Sequence, residues 1–161
     1  MATNFINFET KHAVAGSSKL HATTAGHIYN IQIETTAGLD NGSVIGIGAY
    51  VEPEVYKEAA APTTFEAVVD DVAANGNYYV RVTKPEGALL VLSVPSTYYD
   101  YTSQMKAESN FYNAKGEIAR AYELYAGDIF ELSKEGFTGE FVKGDKVEVD
   151  AASHKLKKHA E

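Results

Sequence analysis

The chain is 161 residues long, has no cysteine, and bears a formal charge of −8 from 22 acidic and 14 basic residues. That length fits one domain, or one domain with an arm, and suffices to bury a core without staples. The missing cysteines exclude a disulfide framework and a thiolate metal site. The acidic balance argues against a duplex-binding surface, which needs a Lys/Arg footprint, and no apolar run approaches the roughly 20 residues of a membrane span.

Residues 1–26 are dominated by Thr, Ser, Ala, Gly and Asn, with isolated Phe5, Ile6 and Phe8. Such a stretch cannot build its own core, so the reading is an extended N-terminal arm over 1–26 and a β-rich domain over 27–161. The three apolar residues are its candidate anchors to a partner, because an extended segment can add to a neighbour's sheet. The arm reading predicts that deleting residues 1–11 leaves the domain folded. MATNFINFETKHAVAG has neither a basic n-region nor an apolar h-region, so a secretory signal is not expected. The expected location is a cytoplasm, or a particle assembled there.

Residues 27–34 alternate: Tyr29, Ile31 and Ile33 face one way, and Asn30, Gln32 and Glu34 the other, which predicts a half-buried strand. Asp40-Asn41-Gly42 supplies a turn, since Asn and Gly accept positive φ cheaply. Residues 44–48 read as the returning strand of a hairpin, with Gly46 and Gly48 leaving room for another backbone. Glu52-Pro53-Glu54 ends that unit, and Ala59-Ala60-Ala61-Pro62 reads as a connector. Residues 65–72 are open between a strand and a helical turn.

Asn75-Gly76-Asn77 is a turn, followed by a strand with Tyr78, Val80 and Val82 on one face. Lys84-Pro85-Glu86-Gly87 turns again. The run 88–94 is the most apolar in the chain and predicts a strand buried on both faces. Residues 95–104 form a polar-aromatic connector. Residues 111–117 read as a strand entering a turn, 120–125 and 128–132 as two short strands around Ala126-Gly127, and 146–149 with 154–158 as a closing hairpin. Strands at this spacing predict an all-β fold, a compact β-sandwich or barrel.

Eleven tyrosines, seven phenylalanines and no tryptophan suit half-buried strands, and also an interface, where Tyr is enriched. Tyr98, Tyr99 and Tyr101 in the connector are candidate partner contacts. Chemistry is harder to find. The five histidines form no metal-spaced pair with a carboxylate, so no metal and no cofactor is expected. Asp70-Asp71 is the one adjacent acidic pair, and neighbours along a strand face opposite ways. Asp40-Asn41-Gly42 matches only the start of a calcium loop, without its closing Glu. No G-x-S-x-G elbow occurs, and Gly46-Ile47-Gly48 is a fragment of a dinucleotide motif with no helix after it. No catalytic residues are assigned, and an enzyme is not expected.

Four stretches taken together, INFETKHAVAGSSKLHATTAGHIYNIQIE, TTAGLDNGSVIGIGAYVE, FYNAKGEIARAYELYAGDIFELSKEGF and GDKVEVDAASHKL, resemble the capsid decoration (auxiliary head, or cement) proteins of tailed bacteriophages. The likeness covers most of the chain, and its motifs are turns and strands. It implies a structural virion protein on the capsid exterior that bridges major capsid protein subunits and braces the expanded head. It also implies a homo-oligomer, with a trimer favoured, and no nucleic-acid or membrane partner. The alternatives are a carbohydrate-binding module using the Tyr98-Tyr99-Asp100-Tyr101 connector, and a tail or head–tail joining protein.

Overall fold

The computed structural model describes residues 9–16, 28–53, 55–94 and 107–160. It is all-β, and it resolves the choice between barrel and sandwich by joining a barrel to a sheet. Five strands close the barrel in the order β1-β3-β2-β6-β7: β1 (Ile28–Gln32), β2 (Val44–Glu52), β3 (Val55–Ala59), β6 (Leu89–Val91) and β7 (Ile118–Glu123), with β7 pairing back onto β1. The other six strands form a sheet in the order β8-β5-β4-β10-β11-β9. These are β4 (Glu66–Val72), β5 (Tyr78–Lys84), β8 (Ile129–Leu132), β9 (Phe137–Thr138), β10 (Lys146–Val149) and β11 (Leu156–Lys158).

Two cores follow from the period-2 alternation of the strands. Ile31, Ile33, Ile45, Leu89, Val91, Ala119 and Ala121 fill the barrel. Val44, Leu90, Leu92 and Leu124 point out of it and pack on Val69, Val80, Val82, Phe130, Leu132, Val147 and Leu156 of the sheet. The run 88–94 serves both cores, which is why it carries no polar alternation. Its regular strand is shorter than expected, Leu89–Val91. Each fully buried aliphatic side chain here contributes about 1.5–3 kcal/mol.

The hairpin expected from residues 27–34 and 44–48 does not form. β1 pairs parallel with β3 and antiparallel with β7, while β2 pairs with β3 and β6. The reason lies in the turn. After β1 the chain crosses toward residues 113–117, where Ile33 N–H donates to Glu117 O at 2.9 Å and Leu39 N–H to Asn113 O at 2.8 Å. Gly42 N–H then donates to Val91 O at 2.7 Å, which commits the departing strand to β6. Residues 111–117 form no strand; Asn113 makes an isolated bridge with Leu39. The expectation of a close backbone at the β2 glycines is met within the chain. A Cβ on Gly48 would lie 2.5 Å from Lys57 O and 2.9 Å from Glu58 O, at the bulge where the β2–β3 register shifts between Ile47 and Tyr50. Residues 65–72, whose composition suits either a strand or a helical turn, contain strand β4.

The outer face of the six-stranded sheet is charged. Lys84–Glu66 (2.6 Å) and Lys157–Glu148 (3.3 Å) pair across it and Asp70 meets Arg81, while Lys158, on the face of Leu156, pairs with Asp145 (3.0 Å) just before β10. Asp71 lies 3.8 Å from Lys143, so the adjacent acids of the sequence go to separate cations. Exposed pairs of this kind add little to stability, because water and salt screen them. Two carboxylates do more local work. Asp145 accepts the Val142 amide at 3.0 Å and the Lys158 ammonium, and these hold it below its ordinary value of 3.8. Asp150 accepts the Ser153 hydroxyl at 2.6 Å and the Ser153 amide at 3.0 Å, with the same downward effect. A carboxylate depressed in the folded state stabilises above its unfolded value and loses that contribution as pH falls through the folded one. The urea midpoint is therefore expected to fall on acidification below about pH 4, and Asp150→Asn is expected to flatten part of that fall. An Asp150→Asn protein with the wild-type acid profile would contradict this assignment.

Candidate docking site

The two ends of the barrel differ. At one end the turn Leu39-Asp40-Asn41-Gly42 works as a hub that ties residues 12–13, 91–93 and 113 together. Leu39 exchanges backbone hydrogen bonds with Asn113 at 2.8 Å in both directions. Asn41 donates through Nδ2 to Ser93 O at 2.8 Å and accepts at Oδ1 from Ser93 N–H at 3.0 Å and from Asn113 Nδ2 at 3.2 Å. Asn41 and Asn113 are both buried, so these bonds satisfy polar groups withdrawn from water. Gly42, at φ 91°, leaves the space that Leu132 fills.

Asp40 anchors the N-terminal segment. Its Oδ1 lies 2.6 Å from His12 Nδ1 and its Oδ2 accepts the Ala13 amide at 3.1 Å. The segment continues along the β8 edge, where Ser133 N–H donates to Val14 O at 3.0 Å, Val14 N–H donates to Ser133 Oγ at 3.1 Å, and Ala15 bridges Leu132. Ala13 and Ala15 are buried in the core between barrel and sheet. Within the expected arm, then, residues 9–16 are described, and 11–15 form a strap over the domain. Of the anchors named here, a deletion ending at residue 11 removes the Lys11 Nζ–Asn110 Oδ1 bond (2.8 Å) and leaves those of residues 12–15 in place.

An open cleft of about 330 Å³ runs beside the strap, lined among others by Lys11, His12, Asp40, Ser43, Ser153 and Lys155. An Asp–His pair in a cleft invites a catalytic reading. The Asp40 carboxylate lies against His12 Nδ1, which leaves Nε2 as the ring nitrogen turned away from it. That atom is enclosed and has no hydrogen-bond partner, while the ring stacks on Tyr112 with centroids 4.8 Å apart. A general base must reach the proton it takes, so the pair acts here as an anchor. His154 is buried with Nδ1 3.3 Å from Val44 O, and His159 Nδ1 lies 2.8 Å from Glu148. Among the described residues no three metal-ligating side chains converge.

The opposite end of the barrel, where β1, β3 and β6 begin and β2 and β7 finish, is lined with tyrosine. Tyr29 and Tyr56 share the inward face with Ile31 and pack against the barrel core. Their centroids are 5.8 Å apart with ring planes at 79°, and Tyr50 adds a third ring 4.9 Å from Tyr56 at 60°. The Tyr29 hydroxyl donates to Glu123 Oε2 at 3.4 Å. Ile28 (56% exposed), Tyr50 (58%) and Val51 (38%) form an apolar rim around this mouth. Large apolar side chains left in water together mark interaction surfaces.

Burial, then the Glu123 carboxylate, pushes the Tyr29 and Tyr125 phenols above their usual 10.0. A raised phenol favours the protonated form, so its contribution is present below the ordinary value and lost as pH rises through the folded one. In an alkaline spectrophotometric titration these two of the eleven tyrosines are expected to ionise later than free tyrosine, and Glu123→Gln is expected to bring them back toward it. A titration unchanged by Glu123→Gln would contradict the placement.

The sequence candidates Phe5, Ile6, Phe8, Tyr98, Tyr99 and Tyr101 all lie outside the described residues. The tyrosine mouth is not among those candidates. Its members are far apart in sequence and meet only through the β1–β3 and β2–β3 registers, in which Ile31 faces Tyr56 and Tyr50 faces Tyr56. The usable signal is Tyr29, which continues the inward row of Ile31 and Ile33 out to the strand end. No family model, curated protein or solved structure matches this chain.

Proposed function

We propose that this chain is a structural virion protein that docks on the outside of a tailed-phage capsid and braces the expanded head by bridging major capsid protein subunits. The observation that carries the reading is the tyrosine mouth with its rim of Ile28, Tyr50 and Val51, an aromatic docking surface held on a rigid barrel. Interfaces concentrate Tyr in this way. The turn-and-strand stretches that resemble decoration proteins support it, and the charge of −8 favours a protein partner over nucleic acid. In this reading copies associate as trimers, and the output is adhesion.

The test is sedimentation of purified protein with expanded heads stripped of auxiliary proteins. Saturable co-sedimentation at micromolar concentration is expected; protein left in the supernatant at that concentration would overturn the reading. A second reading rests on the same rings. Tyrosines beside the Glu123 carboxylate also suit stacking and hydrogen bonding to a sugar, as in a carbohydrate-binding module displayed on a particle. Binding on a glycan array that disappears in Tyr50→Ala would favour that module.

A further inference from the structure

We propose that Asn75 is a self-modification site: the backbone nitrogen of Gly76 attacks its side-chain carbonyl, and the residue converts to aspartate and isoaspartate while the protein stays folded. The chain holds two Asn-Gly steps, Asn41-Gly42 and Asn75-Gly76. Glycine hinders its own nitrogen least, because it has no Cβ, and the reacting groups sit on adjacent residues. Both steps therefore carry the chemistry, and the fold decides which of them uses it. The new bond joins Gly76 N to Asn75 Cγ and closes a cyclic imide. Nδ2 leaves as ammonia, taking up the proton that Gly76 N gives away. Water then opens the imide: attack at Cγ yields aspartate, and attack at the backbone carbonyl yields isoaspartate. One water enters, one ammonia leaves, and no oxidant or metal is needed.

At Asn41 the reacting groups are locked. The residue is 6% exposed, its amide is held by Ser93 and Asn113, and Gly42 N–H donates to Val91 O at 2.7 Å. Closing the imide there requires the side chain to leave a hub that ties distant segments together. At Asn75 the restraints are local. Nδ2 donates to Glu131 Oε1 at 3.1 Å, Oδ1 accepts the Asn77 amide at 3.0 Å, and Gly76 N–H donates to Ala73 O at 2.9 Å. Residues 74–76 are exposed, and nothing lies within 4 Å of a Cβ placed on Gly76. Water competes for these groups, so the turn between β4 and β5 opens while the sheet around it stays paired. One opening frees Gly76 N and Asn75 Cγ together.

The product alters the turn. The new carboxylate lacks the Nδ2 donor that faces Glu131 and sets like charges side by side. Isoaspartate adds a methylene to the backbone of a turn that Ala73 N–H closes on Asn77 O at 2.8 Å. The reaction draws on nothing at the docking surface.

The test ages the full chain in mildly alkaline buffer, folded and in concentrated urea, and follows both sites by peptide mass spectrometry with enzymatic labelling of isoaspartate. In the folded protein Asn75 is expected to convert at least about tenfold faster than Asn41. In urea the two are expected to convert at similar rates, because only the local sequence then counts. Asn75→Gln keeps the amide but lengthens the ring that must close, and is expected to end conversion at this turn. Gly76→Ala is expected to slow Asn75 in both conditions, since the added Cβ crowds the attacking nitrogen. Asn75 intact in the folded protein while it converts in urea would overturn the proposal. So would equal conversion of Asn41 and Asn75 in the folded protein, or conversion at residue 75 that Gly76→Ala leaves unchanged.

Discussion

Gly42→Ala is expected to lower the unfolding free energy by about 3 kcal/mol, the sum of two independent penalties. The residue sits at φ 91°, where a side chain costs about 1–2 kcal/mol. Its Cβ would run into Leu132 Cδ1, and forcing extra volume into a packed core costs about 1–3 kcal/mol. Leu132 has little room to retreat, because it is fully buried and Gly136 lies against its other side. The comparison is Gly76→Ala, where φ is 85° but nothing lies within 4 Å of the added atom. That variant bears the backbone strain alone, about 1–2 kcal/mol. Urea unfolding measures both, with a lower midpoint and an unchanged slope expected for each. Equal losses for the two glycines would mean that Leu132 moves freely and that the hub is not tightly packed.

Asn41→Ala is expected to cost about 2–4 kcal/mol, because one substitution takes a bond from both half-buried backbone groups of Ser93 and from the buried Asn113 side chain. Ser93 loses the partner of its carbonyl and of its amide, and Asn113 Nδ2 keeps only Leu39 O, at 3.0 Å. Each buried group deprived of its hydrogen bond costs about 1–3 kcal/mol. Asn75→Ala serves as the contrast: Asn75 is exposed and donates to Glu131 at 3.1 Å. It is expected to change stability by about 0.5 kcal/mol or less. Because Asn41 links the end of β6 to residue 113, its loss also loosens the end of the barrel from which the strap hangs. Faster amide exchange at Ser93 and Asn113 in Asn41→Ala is the local signature, and exchange unchanged at both would contradict the hub.

The strands that alternate cleanly are legible in the order of residues alone. Tyr78, Val80 and Val82 share a face, and Val147 and Val149 form a hairpin with the strand at Leu156, because half-buried antiparallel strands impose their period on the sequence. Pairing partners are not legible in the same way. Asp40-Asn41-Gly42 has the composition of a hairpin turn, but its side chains are spent on Ser93, Asn113 and His12, contacts between residues far apart in the chain. Strand β3 escapes a reading by pattern because Val55–Ala59 lies beside Pro53 and an alanine run and carries Lys57 and Glu58; its pairing with β1 and β2 makes it a strand. The tyrosine mouth is hidden for the same reason, since three strand ends meet only once the barrel closes.

The central claim is that this barrel is a fastening placed across a capsid surface. A cryo-EM reconstruction of expanded heads saturated with the purified protein tests it most directly. The account predicts extra density over the whole outer lattice, with the barrel's tyrosine end turned toward the shell. A bare lattice, or density confined to the single vertex where head and tail join, would contradict it.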